Sequence, residues 1–286
     1  MPAPSSRVRE LLDGPGGGLV GVGPSAHGRP GTAARGTLAR ALRPHLVAER
    51  AVVEALVEAV EALEARMAAV ENREPTAPAD PPVWQPPDLE TAMASIYNTT
   101  DAEAFDASGA QQADELADHL TPDRVVMDLG CGIGRVARHV APRVGRLIAA
   151  DSSPAMLAFA QERMPDADNV DFVTVEGTRI PVADDEVDFA YSLVTLQHLE
   201  RESAFLLLRE LRRVMRPGAT AHLTFANLAA PEYLTAFVRY AENGDAADPR
   251  RARFYTEEEL RIMLETSGFE AVGIARETEL VAVVRA

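Results

Sequence analysis

The sequence predicts an α/β fold, a mostly parallel seven-stranded sheet with an antiparallel C-terminal hairpin, preceded by an α-helical appendage. Three observations predict it. From Leu89 onward helical and strand signals alternate, as expected of a parallel sheet covered on both faces. The last two strand signals are separated only by residues around Arg276 to Thr278, too few for a parallel crossover, so they must pair antiparallel. Residues 75–88 read PTAPADPPVWQPPD, and six prolines there hold the chain extended as a semi-rigid spacer between appendage and body.

The elements follow in order. Residues 1–31 are punctuated by glycine and proline, which cost too much backbone entropy to order without a core, and read as a basic disordered tail. Residues 32–74 form a helical segment. Within it Val53, Leu56, Val60, Leu63, Met67 and Val70 are spaced 3, 4, 3, 4, 3, a heptad seam flanked by Glu54, Glu58, Glu61 and Arg66. Two readings stand: a coiled coil that makes a homo-oligomer through residues 45–72, or one amphipathic helix lying on its own subunit. Residues 89–286 form the main domain. Its strands are expected near Arg124–Leu129, Arg146–Ala150, Val170–Val175, Val187–Ser192, Ala219–Phe225, Phe269–Ala275 and Glu279–Val284, with helices starting near Gly134, Pro154, Arg201 and Thr256.

Composition excludes several classes of function. With 286 residues, 47% of them apolar and 25% charged, a sizeable core forms. A single cysteine, Cys131, leaves no disulfide framework. The formal net charge of −16 repels phosphate backbones and anionic membranes, so no nucleic acid is expected as partner. All 28 basic residues are arginine, a compositional bias without mechanistic weight. Six arginines against Glu10 and Asp13 make the first 45 residues locally basic. No run approaches the roughly 20 apolar residues of a membrane span, and nothing resembles a secretion signal, so a cytoplasmic location is expected.

Chemistry concentrates in three places. The run VVMDLGCGIGRVARHV from Val125 is an apolar strand entering a glycine-rich turn and then a helix. Gly130, Gly132 and Gly134 allow close backbone approach to a ligand, and the helix start would offer free N–H groups. A dinucleotide fingerprint starting at Gly130 would need glycine or alanine where Arg135 stands. Asp128 beside the turn suits a cationic ligand. Next, Asp151 stands at the tip of the second strand, where an acid accepts both hydroxyls of a ribose; the competing role is an N-cap for the helix at Pro154, which Ser152 or Ser153 can also supply. Last, Glu176, Gly177 and Thr178 end the third strand, beside the position of an adenine in open parallel sheets. Asp184, Asp185 and Glu186 form a solvated turn, and no metal site is expected.

Taken together, DLGCGIGR, Asp151, EGTRIPVADDEVDFAYS and LRRVMRPGATAHLTF resemble, in this order and spacing, the class I S-adenosylmethionine-dependent methyltransferases over roughly Leu89 to Ala286. The resemblance implies a Rossmann-like sheet with a reversed final strand and S-adenosyl-L-methionine as cofactor. It implies Asp128, Gly130, Cys131, Gly132 and Gly134 around the methionine part, Asp151 and Ser152 at the ribose, and Glu176, Gly177 and Thr178 along the adenine, with Ser192 and Leu193 completing the cofactor site. Glu176 stands where the family more often has Asp. Tyr97, in SIYN, resembles the tyrosine placed over the cofactor carboxylate; its other reading is a core aromatic. Cys131 is a small packing residue and no nucleophile.

A sulfonium donor is already activated, so the protein supplies alignment and desolvation for an in-line displacement. His198 follows the fourth strand and is the candidate general base, with a structural role at the helix start as the other reading. The long connection from Asn227 to Arg253 holds Tyr233, Phe237, Tyr240 and the cluster Arg250, Arg251 and Arg253. It reads as an acceptor-selecting lid whose arginines bind an acidic group, or as a solvated helix packing its aromatics inward. The expected function is methyl transfer to a small-molecule or sugar/glycan-type acceptor, at oxygen ahead of nitrogen or carbon. The sugar reading rests on the compositional likeness of the basic tail and heptad run to appendages of polysaccharide-pathway methyltransferases. The rivals are a non-catalytic cofactor-binding protein acting through its coiled coil and a nicotinamide dehydrogenase.

Overall fold

The computed structural model describes residues 84–243, 251–276 and 278–286, with Glu58 and Ala62 before them. The basic tail, the heptad seam, most of the proline-rich spacer and Arg250 lie outside the described residues.

Helix α1, Leu89–Tyr97, starts where the Asp88 carboxylate accepts the Thr91 amide at 2.7 Å and stops at Asn98 in the left-handed region, φ 52°. An aspartate as N-cap supplies the acceptor that the first turn lacks. Helix α2, Ala102–Glu115, is capped in the same way by Asp101. Strand β1 is Val125–Leu129, followed after the glycine turn by helix α3, Ala137–Val140. Then come β2 Arg146–Asp151, α4 Pro154–Arg163, β3 Val170–Thr174 and β4 Val187–Ser192. Helix α5 is Arg201–Val214, β5 Met215–Ala226, α6 Pro231–Asn243, α7 Glu257–Thr266, β6 Glu270–Arg276 and β7 Glu279–Arg285.

The seven strands lie in the order β3-β2-β1-β4-β5-β7-β6. Pairings are parallel from β3 through β5 and antiparallel at β5–β7 and β6–β7. This is the expected α/β sheet, hairpin included. The order in which strands are added reverses between β1 and β4, which opens a crevice beyond the carboxyl ends of these two strands. Both faces are covered. Met127, Leu129, Ile148, Ala190 and Leu223 pack with Leu208, Leu211 and Leu264 on one side, and Val126, Leu147, Phe189 and Tyr191 with Leu116, Val140 and Met164 on the other.

Two boundaries differ from expectation. The helix expected at Gly134 is a turn through residue 136 followed by the single turn of α3. Gly134 has φ +76°, outside the helical region, and Pro142, which lacks an N–H, ends the α-helical bonding so that the chain continues as a 3-10 turn, Ala141–Arg143. Strand β5 begins at Met215 and not near Ala219, because Arg216-Pro217-Gly218 forms a bulge, with Gly218 at φ +83°, where pairing jumps from Val187↔Met215 to Phe189↔Thr220. Proline and glycine read as a turn in sequence, yet a bulge accommodates both.

Candidate active site

The crevice holds a cavity of ≈ 760 Å³, within the range of about 300–1,000 Å³ that small-molecule sites occupy. At one end of it stands the tip of β2. The Asp151 carboxylate accepts the Gly132 amide at 2.8 Å with one oxygen and the Ser153 amide at 2.9 Å with the other. The Ala150 carbonyl accepts the amides of Gly130 at 2.7 Å and Cys131 at 3.1 Å. Three amides of the glycine turn, those of Gly130, Cys131 and Gly132, are therefore held by β2, and that of Gly134 donates to the Cys131 carbonyl at 3.0 Å. The turn supplies close approach. Gly130, with φ +84°, has room for no side chain, since a Cβ there would lie 2.1 Å from Thr195 Cγ2. Ser153, and not Ser152, caps α4, its hydroxyl accepting the Met156 amide at 3.1 Å. Asp151 is thus free of the N-cap duty weighed for it.

Of the sequence-predicted residues, Tyr97, Asp128, Gly130, Cys131, Gly132, Asp151, Ser152, Gly177, Thr178, Leu193 and His198 line this one cavity. Three do not. Gly134 faces α4, where an added Cβ would meet Met164 Cε at 2.7 Å. Glu176 is exposed in the tight turn after β3, where its backbone exchanges hydrogen bonds with that of Arg179 at 3.0 Å. Ser192 is fully buried and donates to the Leu129 carbonyl at 2.8 Å, tying β4 to β1. Cys131 packs against Ala149 and Leu157, and burial pushes its thiol up, which suits the packing role.

The cavity floor is polar and deeply buried. Asp128, 4% exposed, accepts the Tyr191 hydroxyl at 2.9 Å. Burial pushes the Asp128 carboxyl up to about 7, while the Tyr191 hydrogen bond and the nearby Arg135 pull it down. Arg135, 6% exposed, donates to Gln112 Oε1 at 2.6 Å and Ser108 Oγ at 3.2 Å, and its guanidinium lies 5.2 Å from the Tyr97 ring centroid. Its buried Nε has no hydrogen-bond partner. Burial pulls its guanidinium down, and the charges of Asp128 and, less strongly, Glu279 hold it up. Arg135, Tyr191 and the cavity-lining Trp84, Thr195 and Glu279 were not singled out as site residues from the sequence. The signal for Tyr191 was the β1–β4 register, which sets it beside Asp128. Arg135 was noticed only as a departure from a dinucleotide pattern.

The opposite wall is built by the turn after β4. Val194, β-branched and yet at φ +57°, is held there by its amide donating to Thr224 Oγ1 at 2.8 Å. Strained backbone of this kind costs on the order of 1–3 kcal/mol and concentrates at functional sites. His198 closes the short 3-10 turn Leu196–His198, its ring edge-on to Trp84 at 5.3 Å between centroids. The end of the proline-rich spacer thus packs into the site.

Arg253 pins this turn from behind. Its guanidinium donates to the His198 carbonyl at 2.6 Å and to Glu200 at 2.5 Å, and its amide donates to the Gln197 carbonyl at 2.7 Å. Arg253 is therefore held by the turn after β4, and its buried Nε alone has no hydrogen-bond partner. Tyr233, Phe237 and Tyr240 of α6 gather around Phe254 at about 6 Å between centroids, the inward packing weighed as the second reading of that region. Among the described residues no group of three or more His, Cys, Asp and Glu could hold a metal ion.

The fold and cavity define a class: an α/β domain with an acid at the tip of β2 and a glycine turn at the switch point, shaped for a nucleoside-bearing cofactor. Comparison with known proteins takes this further. Residues 126–218 match the family described as a methyltransferase domain. The chain is 32% identical over 169 residues to an arsenite methyltransferase of Halobacterium salinarum, covering 56% of this chain and 41% of the relative. It is 34% identical over 107 residues to a malonyl-[acyl-carrier protein] O-methyltransferase of Marinomonas sp., covering 37% and 38%. The chain spans less than half the length of these curated relatives. A crystal structure of a SAM-dependent methyltransferase from Aquifex aeolicus superposes with a TM-score of 0.51 at 20% identity, covering 68% of this chain and 97% of that one. Residues 126–218 thus match a methyltransferase domain, and the sheet around them has the fold of S-adenosylmethionine-dependent methyltransferases.

Proposed function

We propose that this protein transfers a methyl group from S-adenosylmethionine to a small-molecule or sugar/glycan-type acceptor, with oxygen as the acceptor atom. The observation that carries the reading is a single cavity that joins Asp151, Asp128 and Arg135 to an imidazole on the wall after β4. The cofactor supplies an activated methyl on a sulfonium. Asp151 is placed to take ribose hydroxyls, Gly177 and Thr178 to border the base, and Arg135 to meet the amino-acid carboxylate, which its unpartnered Nε fits. Asp128 puts negative charge on the floor beside a cationic donor. His198 faces the same cavity and would take the proton that an acceptor hydroxyl loses as the methyl arrives. Trp84 against its ring and Arg253 on its carbonyl fix its place. Alignment and exclusion of water carry the rest of the rate. The names of the relatives span acceptors from arsenite to malonyl-acyl carrier protein; the sugar reading rests on the composition of the basic tail and heptad run.

The test is calorimetric titration of the full chain with S-adenosylmethionine and S-adenosylhomocysteine, with NAD as competitor. Saturable binding of both, indifferent to NAD and weakened at least about tenfold by Asp151→Asn, is expected. No binding by the folded protein would overturn the reading.

A further inference from the structure

Four carboxylates line the cavity: Asp128, Asp151, Glu200 and Glu279. Three have assigned duties, since Asp128 takes the Tyr191 hydroxyl, Asp151 the two loop amides and Glu200 the Arg253 guanidinium. Glu279 differs. The Tyr233 hydroxyl donates to its Oε1 at 3.3 Å and the Thr224 hydroxyl stands beside it. Among the described residues it makes no ion pair. Arg135 is the cation that reaches it electrostatically, but that guanidinium donates to Ser108 and Gln112. Two neutral donors fix the direction of a carboxylate without cancelling its charge. Burial pushes the Glu279 carboxyl up, while Tyr233, Thr224 and the charge of Arg135 pull it down, and no cation hydrogen-bonds to it.

Its position separates it from the ribose end. Glu279 pairs with Ala226 at the carboxyl end of β5, four strand spacings along the edge from Asp151 in the order β2-β1-β4-β5-β7. At about 4.8 Å per strand that is about 19 Å. Of the strands between them, β4 runs into the turn that carries His198, and α6 covers the same edge through Tyr233. Glu279 therefore faces the part of the cavity that lies past the cofactor's ribose.

We propose that Glu279 anchors the methyl acceptor through a positively charged nitrogen on that acceptor, with Tyr233 holding the carboxylate from the α6 side. The proposal rests on the reading of the cavity as a methyl-transfer site. A net charge of −16 over the chain draws such molecules in from solution. Tyr233 belongs to the connection after β5, so the anchor joins the sheet to the segment that covers the acceptor end.

The experiment uses the full chain saturated with S-adenosylhomocysteine, titrated with three probes of one shape and different charge: n-butylammonium, n-butanol and butyrate. Saturation-transfer NMR follows each. The expected result is ammonium binding in the millimolar range, preferred over the alcohol and the carboxylate. Glu279→Gln, which keeps an acceptor for Tyr233, should weaken ammonium binding about tenfold, the worth of one charge-assisted hydrogen bond. S-adenosylhomocysteine affinity should stay within about threefold, showing that the variant is folded and the cofactor site whole. Tyr233→Phe should keep the order of the probes with weaker ammonium binding. Equal binding of the three probes, a preference for butyrate, no ammonium binding, or ammonium binding untouched by Glu279→Gln would each overturn the proposal. If Glu279→Gln does not fold, the order of the probes on the unaltered chain decides. Failure of S-adenosylhomocysteine to bind at all would instead remove the methyl-transfer reading beneath it.

Discussion

Replacing Asp128 with asparagine tests whether the cavity floor stores an electrostatic cost for its ligand. The carboxyl is 4% exposed and receives the Tyr191 hydroxyl at 2.9 Å. Its ordinary value of 3.8 is raised to about 7, mainly by burial. Between those two pH values the folded chain holds a proton that the unfolded chain has lost, so folding is favoured at the lower pH. The stability that protonated Asp128 contributes is fully present below about pH 4 and lost as pH rises through about 7. Each pH unit in that window is worth about 1.4 kcal/mol, so raising the pH from about 5 to about 8 should cost the unaltered protein about 3 kcal/mol through this one group. Asparagine accepts the same Tyr191 hydrogen bond and never ionises. The stability of Asp128→Asn relative to the parent should therefore increase by about 3 kcal/mol between those pH values, while its affinity for S-adenosylmethionine falls. Urea unfolding of both proteins at the two pH values, at one ionic strength, measures the difference directly. An unchanged difference, or one of opposite sign, would refute the assignment of a buried, ionisable and costly carboxylate.

Two glycines of one motif should behave differently when changed to alanine. Gly130→Ala drives a Cβ to 2.1 Å from Thr195 Cγ2 and 2.6 Å from Thr195 Cβ, which displaces the turn after β4; S-adenosylhomocysteine affinity should drop by more than about tenfold in calorimetry. Gly134→Ala meets the flexible end of Met164 and a positive φ, so it should lose about 1–2 kcal/mol of stability in urea with affinity nearly intact. Arg253→Ala removes the bonds to the His198 carbonyl and Glu200. Hydrogen exchange of the amides between Leu196 and Glu200 should quicken by about tenfold or more, with global stability lowered by about 1–3 kcal/mol.

The elements that could be read from the sequence are those whose signal is local. Alternation of apolar runs marked the strands, and the short connection between Arg276 and Glu279 forced the hairpin. Asp151 and the glycine turn were legible because strand, turn and acid occur within a short stretch. What stayed hidden depends on register and on distant pairing. Tyr191 reaches Asp128 across 63 residues, and Glu279 reaches the cavity only because β7 returns beside β5. Arg253 reads as a free cation in sequence, but the turn it holds lies 55 residues away. Glu176 is a local matter: the chain turns back on itself between Glu176 and Arg179, and that turn brings Gly177 and Thr178 to the cavity and leaves Glu176 outside it.

The order of the sheet also bears on how the chain is made. Strand β6 leaves the ribosome before β7, yet it joins the sheet only through β7, which slots between β5 and β6. Until Glu279–Arg285 has emerged, β6 has no neighbour to pair with and β5 shows an open edge of apolar strand. During synthesis that edge is a template for another nascent chain. Glu279, the first residue of the inserted strand, reaches the cavity in the same movement that closes the edge. The acceptor end of the site can exist only once the sheet is complete, so a partly synthesised chain could hold the cofactor end without the means to use it.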